Sequence, residues 1–301
     1  MLMLTGAADK GLAADKHVAD LSILVGATER YYRLYVPRSW ERREIRALVI
    51  ALHGGGTNAA SMERLSRLNE MAGAAGFMVA YPQGTGRSPG ILTWNAGSCC
   101  GHASSNQVDD VGFIARLIDH LVSRFHVDPG RVYATGISNG AMMAYRLAAE
   151  LPDRIAAIAP VAGSLEVDPS RVRSAVPVVH FHGTADEYVP YEGGHGRRSM
   201  PGLVTRPVEE TISIWVKANR ARGQPRLDHL PNLADDGTTV LRCTYSSDHD
   251  PQSVVLYRIN GGGHTWPGNP SRERLLGITT RDISANEIMW EFFKAHRKAK
   301  K

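Results

Sequence analysis

Ser138, Asp186 and His264 have the side-chain types and the order along the chain that attack on a carbonyl carbon requires. Ser138 stands in the stretch Gly136-Ile-Ser-Asn-Gly140, between a strand-like run and a helix-like one. A G-x-S-x-G pattern in this context predicts a sharp turn that exposes the serine hydroxyl. Glycine at both ends avoids side chains that would collide in so tight a turn. We therefore predict that Ser138 is a nucleophile.

A nucleophilic serine needs a histidine base, and the base needs a carboxylate that orients it. His264 lies in a glycine-rich loop after the last strand-like run, 254–259. Asp186 follows the apolar run 176–181 by a few residues, and the neighbouring Glu187 is the alternative acid. The order serine, acid, histidine is typical of α/β folds with this serine turn. The sequence thus predicts Asp186 as the acid and His264 as the base.

Backbone N–H groups that could stabilise a developing oxyanion are predicted on two loops. The stretch His53-Gly-Gly-Gly directly follows the apolar run 47–52, and glycine lets the backbone approach a substrate carbonyl closely. Gly55 or Gly56 would supply one N–H there, and Asn139, directly after the serine, would supply the other.

Trp94 and Trp266 lie on loops expected at the rim of such a site. Their rings could stack on a sugar or an aromatic acyl group, or each could pack its own loop against the protein. We predict that both contact substrate.

His180 and His182 lie two residues apart and could form half of a metal site. No third ligand stands at a suitable spacing nearby, so a role in the core or in support of a site is favoured. The sequence also has no phosphate-binding or dinucleotide motif. It therefore implies neither a metal nor a cofactor.

The elements that must position these residues alternate between short apolar runs and amphipathic stretches. Nearly continuous apolar runs are typical of parallel strands buried on both faces. Their alternation with helices predicts an α/β fold with a mostly parallel, mixed sheet and helices on both faces. The predicted strands are 21–25, 30–36, 47–52, 77–81, 132–135, 155–161, 176–181 and 254–259, and the predicted helices are 60–74, 109–125, 139–150, 208–220 and 284–297.

Composition excludes several other classes of protein. The formal net charge is +5 and aromatic residues make up 7% of the chain, whereas a nucleic-acid-binding surface needs a basic stripe interleaved with aromatics. No apolar run reaches the roughly 18 residues of a membrane span, and no secretory signal is recognisable at the start. We predict a loosely ordered segment at 1–18 and one catalytic domain at 19–301. The state of the adjacent Cys99 and Cys100, and the oligomeric state, stay open.

Seven motifs in order carry a family resemblance: HGGGTNAASM, YPQGTG, WNAGSCCG, VDDVGFI, GISNGAMMAYRLA, HGTADEYVPYEGG and GGGHTWPG. Together they resemble the extracellular polyhydroxybutyrate depolymerase and feruloyl or acetylxylan esterase group of α/β-hydrolases, over roughly residues 27–297. Several members of that group have a cysteine where Gly55 stands, so a disulfide at this loop is absent here. The resemblance implies an α/β-hydrolase fold and an extracellular or periplasmic serine esterase with Ser138, Asp186 and His264 as its catalytic residues.

The implied partner is a small or oligomeric ester, either a hydroxycinnamoyl or acetyl ester of plant polysaccharide or a short 3-hydroxybutyrate ester. Two alternatives stay open. The first is a serine peptidase, because the same three residues also cleave amides. The second is a protein on the same scaffold that binds polyester or carbohydrate without turnover.

Overall fold

The structure is a computed structural model that describes residues 18–38, 46–250, 253–269 and 274–298. The segment predicted to be loosely ordered lies outside these ranges except for Val18, which begins the first strand. No helix in the described ranges is long and apolar enough to cross a membrane.

The described residues form one ten-stranded mixed sheet and a separate two-stranded hairpin. The strands of the large sheet, in chain order, are β1 (Val18–Val25), β2 (Thr28–Tyr35), β3 (Arg46–Leu52), β4 (Met78–Pro82), β7 (Val127–Ile137), β8 (Ala157–Val161), β9 (Val178–Gly183), β10 (Arg226–His229), β11 (Thr239–Tyr245) and β12 (Val254–Asn260); the hairpin is β5 (Thr85–Ser88) with β6 (Ile91–Thr93).

The order of strands across the sheet is β1-β2-β4-β3-β7-β8-β9-β12-β11-β10. The six strands from β4 to β12 run parallel, with register pairs such as Ile50 opposite Ala134 and Leu256 opposite His180. Antiparallel strands flank this centre on both sides. The prediction of a mostly parallel, mixed sheet is therefore confirmed, and the carboxyl ends of its central strands meet at one edge.

Helices cover both faces of the sheet, as predicted. They are α1 (Ala59–Ser66), α2 (Leu68–Ala75), α3 (Gly101–Ser105), α4 (Asp110–Phe125), α5 (Asn139–Glu150), α6 (Val208–Ala218) and α7 (Ala285–Ala295). Side chains of α4, α5 and α6 belong to one buried apolar cluster, and those of α1, α2 and α7 belong to the other.

Strand β3 shows why the central runs read as continuously apolar. Leu48, Ile50 and Leu52 pack into the cluster of one face, whereas Val49 and Ala51 pack into the cluster of the other. A strand covered by helices on both sides has no solvent face, and so its sequence has no polar alternation.

Three details differ from the sequence prediction. The helix expected over 60–74 is broken at Arg67, whose φ of 52° is left-handed, and becomes α1 and α2. Strands β10 and β11 were not predicted, because β10 is mostly exposed and forms no apolar run and β11 mixes polar with apolar residues. The stretch between β4 and α4, for which no strand or helix was predicted, contains the β5–β6 hairpin and the short helix α3.

Candidate active site

Ser138 occupies the turn between β7 and α5 in a backbone conformation rare for a residue with a side chain. Its φ is 58° and its ψ is −126°. A Cβ on Gly136 would come within 2.6 Å of the Gly140 carbonyl oxygen, and a Cβ on Gly140 would overlap the carbonyls of Leu52 and His53. Strain of this kind persists only where the surrounding structure enforces it, and it clusters at functional sites. The predicted serine turn is thus present in the structure.

Asp186 and His264 meet although 78 residues separate them in sequence. His264 Nδ1 donates a hydrogen bond to Asp186 Oδ2 at 2.7 Å, and both side chains are buried. The other oxygen of Asp186, Oδ1, accepts the backbone N–H groups of Tyr188 at 2.8 Å and Val189 at 2.9 Å. This arrangement fixes the carboxylate and orients the imidazole.

The electrostatics of the pair favour a charged acid. Burial by itself raises the pKa of Asp186, but the charge and hydrogen bond of His264, together with smaller effects of His182 and the Val189 N–H, outweigh it and hold the pKa below the ordinary value. Glu187, the alternative acid, is partly exposed and pairs with Arg197 and Arg198 instead. Of the two neighbouring carboxylates, Asp186 is the one that contacts the histidine.

The two oxyanion candidates on the His53-Gly-Gly-Gly loop differ in what their amides do. The Gly56 N–H donates to the Leu92 carbonyl at 2.8 Å, so it is already bound within the protein and the prediction of Gly56 as a donor is wrong. Gly55 lies against Asn139, where an added Cβ would stand 3.5 Å from that of Asn139. Gly55 and Asn139 stay the candidate donors.

The buried ring of His53 stabilises the His53-Gly-Gly-Gly loop through two hydrogen bonds. Its Nδ1 lies 2.8 Å from the Gly54 carbonyl, which can only accept, and its Nε2 accepts the Gly84 N–H at 3.0 Å. The ring is therefore neutral with its proton on Nδ1. Burial lowers the pKa of His53 to about 4, which keeps it neutral.

The predicted substrate contacts of Trp94 and Trp266 are corrected by their burial, since neither indole is accessible to solvent. Trp94 Nε1 donates to the His53 carbonyl at 2.9 Å, and Trp266 Nε1 donates to Asn286 Oδ1 at 2.9 Å. A buried indole stabilises a loop when its N–H finds a partner inside. Both tryptophans therefore pack the loops of the site rather than face a ligand.

The Asn139 side chain joins the turn to the Trp94 loop. Its Oδ1 accepts the Trp94 N–H at 2.7 Å, and its Nδ2 donates to the Trp94 carbonyl at 3.1 Å. The same Nδ2 lies 3.7 Å from the sulfur of Cys99, which the structure pairs with Cys100 in a disulfide. Asn139 thus has a structural role in addition to its candidate oxyanion N–H.

Two side chains beside the site were missed by sequence reasoning. The Tyr188 ring stacks on that of His264 with centroids 4.9 Å apart, and Met200 Sδ would lie 3.5 Å from a Cβ on Gly55. Both belong to the loop after β9, where nothing in the spacing of residues marks them. The only available signal was the nearness of Tyr188 to Asp186 in sequence.

His180 and His182 are wholly buried on β9. Among the described residues, no group of three His, Cys, Asp or Glu side chains is placed to hold a metal ion. Their hydrogen bonds run to other protein groups instead.

Comparison with known proteins places this chain in a family. The sequence profile described as esterase PHB depolymerase matches residues 30–231, about two thirds of the chain. The protein belongs to this family and is an esterase, a hydrolase of carboxylic esters.

Several relatives have names that refer to different ester substrates. NocK of Nocardia uniformis subsp. tsuyamanensis is 35% identical over 93% of this chain and 83% of its own length. Feruloyl esterase B of Piromyces equi is 32% identical over 72% of this chain and 39% of its own length. Poly(3-hydroxyalkanoate) depolymerase C of Paucimonas lemoignei is 27% identical over 74% of this chain and 56% of its own length. The chain thus spans 39% of the length of the Piromyces protein and 56% of the length of the Paucimonas protein.

A solved structure shows the same fold. The acetyl xylan esterase from Aspergillus awamori superposes with a TM-score of 0.64, covering 92% of this chain and 98% of that one at 18% identity. The predicted α/β-hydrolase fold is confirmed.

Proposed function

We propose that the protein hydrolyses carboxylic esters through a covalent acyl-enzyme formed on Ser138. The observation that carries this proposal is the 2.7 Å hydrogen bond between His264 Nδ1 and Asp186 Oδ2, at the same edge of the sheet as the strained serine turn. A histidine held through Nδ1 presents Nε2 as its base nitrogen, which is the arrangement that activates a serine hydroxyl.

The reaction then runs in two balanced halves. Ser138 Oγ bonds to the ester carbonyl carbon while His264 Nε2 takes its proton, and the N–H groups of Gly55 and Asn139 hold the oxyanion. The carbon–oxygen bond to the alcohol breaks as His264 returns the proton to the departing oxygen. Water next attacks the acyl-enzyme in the same way, which releases the acid and restores Ser138. Asp186 stays charged and stabilises the imidazolium.

For the substrate we propose a hydroxycinnamoyl or acetyl ester, or a short 3-hydroxybutyrate ester, met outside the cytoplasm. Relatives named feruloyl esterase and poly(3-hydroxyalkanoate) depolymerase support these classes. Burial of Trp94 and Trp266 removes the tryptophans as an argument for aromatic acyl groups. Rates on methyl ferulate, acetylated xylan and hydroxybutyrate oligomers would choose among them.

The deciding experiment is Ser138→Ala, tested on p-nitrophenyl acetate and with a fluorophosphonate probe. We expect the wild-type serine to be labelled and the variant to lose both labelling and more than about 99.9% of turnover, since each member of such a triad is essential. An unlabelled wild-type protein would favour the non-catalytic binding alternative. Faster cleavage of a matched anilide than of the ester would favour the peptidase.

A further inference from the structure

Behind Asp186, a chain of hydrogen bonds connects three buried side chains that the proposed reaction does not use. The Tyr145 hydroxyl, on α5, lies 2.9 Å from His180 Nδ1. His180 Nε2 lies 3.0 Å from His182 Nδ1, and His182 Nε2 lies 2.8 Å from the Val189 carbonyl oxygen. All three side chains are inaccessible to solvent. The chain begins on the helix that follows Ser138 and ends at the loop that carries the acid.

For neutral rings, these contacts allow one arrangement of protons. The Val189 carbonyl can only accept, so His182 carries its proton on Nε2 and its Nδ1 must accept. His180 then donates from Nε2, which leaves its Nδ1 to accept the Tyr145 hydroxyl proton. Burial lowers the pKa of His182 and lowers that of His180 well below its ordinary value, so both rings stay neutral. Every hydrogen bond in the chain therefore points toward the acid loop.

His182, the last side chain in this series of hydrogen bonds, contacts the loop that carries Asp186 at two points. The first is the Val189 carbonyl, and the N–H of the same Val189 donates to Asp186 Oδ1 at 2.9 Å. The same His182 Nε2 also lies 3.5 Å from Asp186 Oδ2, the oxygen bound to His264. The His182 N–H that donates to the Val189 carbonyl thus also lies close to the carboxylate oxygen that binds His264.

The groups around His182 act on its protonation in both directions: the Asp186 charge and the Val189 carbonyl raise its pKa, whereas burial and the charge of His264 lower it. Arg258 lies opposite His182 in the register of β12 and β9, and its guanidinium stands 5.3 Å from the Tyr191 ring centre. Tyr191 in turn packs edge-on against His182 with centroids 5.8 Å apart. His264 is a further positive neighbour when it is protonated. The negative groups among these contacts are Asp186, whose charge is shared with His264, and Glu209, which accepts a hydrogen bond from the Tyr191 hydroxyl, and burial outweighs them in lowering the pKa of His182.

We propose that His182 is a positioning residue for Asp186, held in its donating form by His180 and Tyr145. This inference rests on the proposed function, in which Asp186 orients the base. Loss of the His182 N–H frees the Val189 carbonyl and removes a dipole that stabilises the carboxylate. The negative charge of Asp186 then acts more strongly on protonated His264.

The kinetic test compares His182→Leu with His182→Gln, which restores an N–H able to reach the Val189 carbonyl. His296→Leu is the matched control, because His296 is a mostly buried histidine bound to a different carboxylate, Asp250, at 3.0 Å. For His182→Leu we expect kcat to fall by about tenfold to a hundredfold, less than the whole contribution of a general base, with KM nearly unchanged. The acidic limb of the pH profile should move to higher pH by a few tenths of a unit, and His182→Gln should recover most of both changes.

A purely structural role would lower Tm in all three variants without moving the pH profile. His182→Leu with the kcat and pH profile of His296→Leu would therefore overturn the proposal. If His182→Leu does not fold, His182→Gln and the following measurement decide.

The second test uses the wild-type protein and needs no activity. Long-range ¹H–¹⁵N spectra distinguish the two neutral forms of histidine. We expect His180 and His182 to carry their protons on Nε2 and to stay neutral at the pH where an ordinary histidine, with a pKa of about 6.5, becomes protonated. A proton on Nδ1 of either ring, or protonation near pH 6.5, would contradict the proposal. If the probe does not label Ser138, the proposed function is refuted, but the protonation states of His180 and His182 can still be measured and interpreted.

Discussion

At the scale of single residues, surroundings rather than side-chain type decide which of two neighbouring carboxylates contacts His264. Asp186 and Glu187 are adjacent carboxylates, yet Asp186 is buried against His264 and two backbone N–H groups. Glu187 points outward to arginines. Burial without a partner would raise the pKa of a carboxyl, so the contacts of Asp186 keep it charged at neutral pH.

Asp186→Asn should lower kcat by roughly a thousandfold to ten-thousandfold, because an amide can neither fix the imidazole in the correct form nor stabilise its charge. Glu187→Gln is the matched control, since it removes ion pairs at a partly exposed site, which are worth at most about 1 kcal/mol. Glu187→Gln should keep kcat within about twofold of the wild-type value. Initial rates on p-nitrophenyl acetate measure both variants. Similar losses in the two would show that the wrong carboxylate has been assigned.

At the scale of elements, close backbone packing sets the position of the serine. Strand β7 enters the turn and helix α5 leaves it, with Gly136 and Gly140 on either side. Gly140 lies against the carbonyls of Leu52 and His53, at the start of the candidate oxyanion loop. The serine turn and the His53-Gly-Gly-Gly loop are therefore positioned by the same contact.

Gly140→Ala should destabilise the protein by about 1–3 kcal/mol or more, because the new methyl group would overlap two backbone carbonyls that cannot move independently. Gly90→Ala is the control, since a Cβ there meets nothing within 4 Å. Urea unfolding would measure both free energies of unfolding. Equal stability of the two variants would mean that the turn has more room than the structure shows.

At the scale of the whole molecule, folding buries several histidines that must remain neutral. His53, His180 and His182 all have pKa values lowered by burial, and that of His53 falls from 6.5 to about 4. In the unfolded chain the same histidines bind protons below about pH 6.5. Acid therefore favours the unfolded state.

The free energy of unfolding should fall as the pH drops from about 6.5 toward 4. Each of these histidines contributes up to about 1.4 kcal/mol per pH unit in this window, because the unfolded chain is protonated there and the folded one is not. Asp186, whose pKa is lowered, acts in the same direction toward the acid end. Asp110, whose pKa burial raises, acts against it. Urea midpoints at pH 7, 6 and 5 check the sign, and a flat or rising stability would contradict it.

Much of the fold could be predicted because its signals are local. Strands such as β3 are apolar throughout since helices cover both faces, and α5 follows the glycine-rich turn directly in sequence. The exposed strand β10 could not be found, because it pairs at the sheet edge without burying an apolar run. The break at Arg67 was likewise hidden, since the residues on both sides favour a helix.

The sequence by itself determined the types and order of the catalytic candidates Ser138, Asp186 and His264, because their motifs depend on neighbours a few residues away. The folded structure was needed to show that the Gly56 N–H is bound to Leu92 and that Trp94 and Trp266 are buried. Hydrogen-bond partners and burial are set by residues far apart in the chain, which no spacing records.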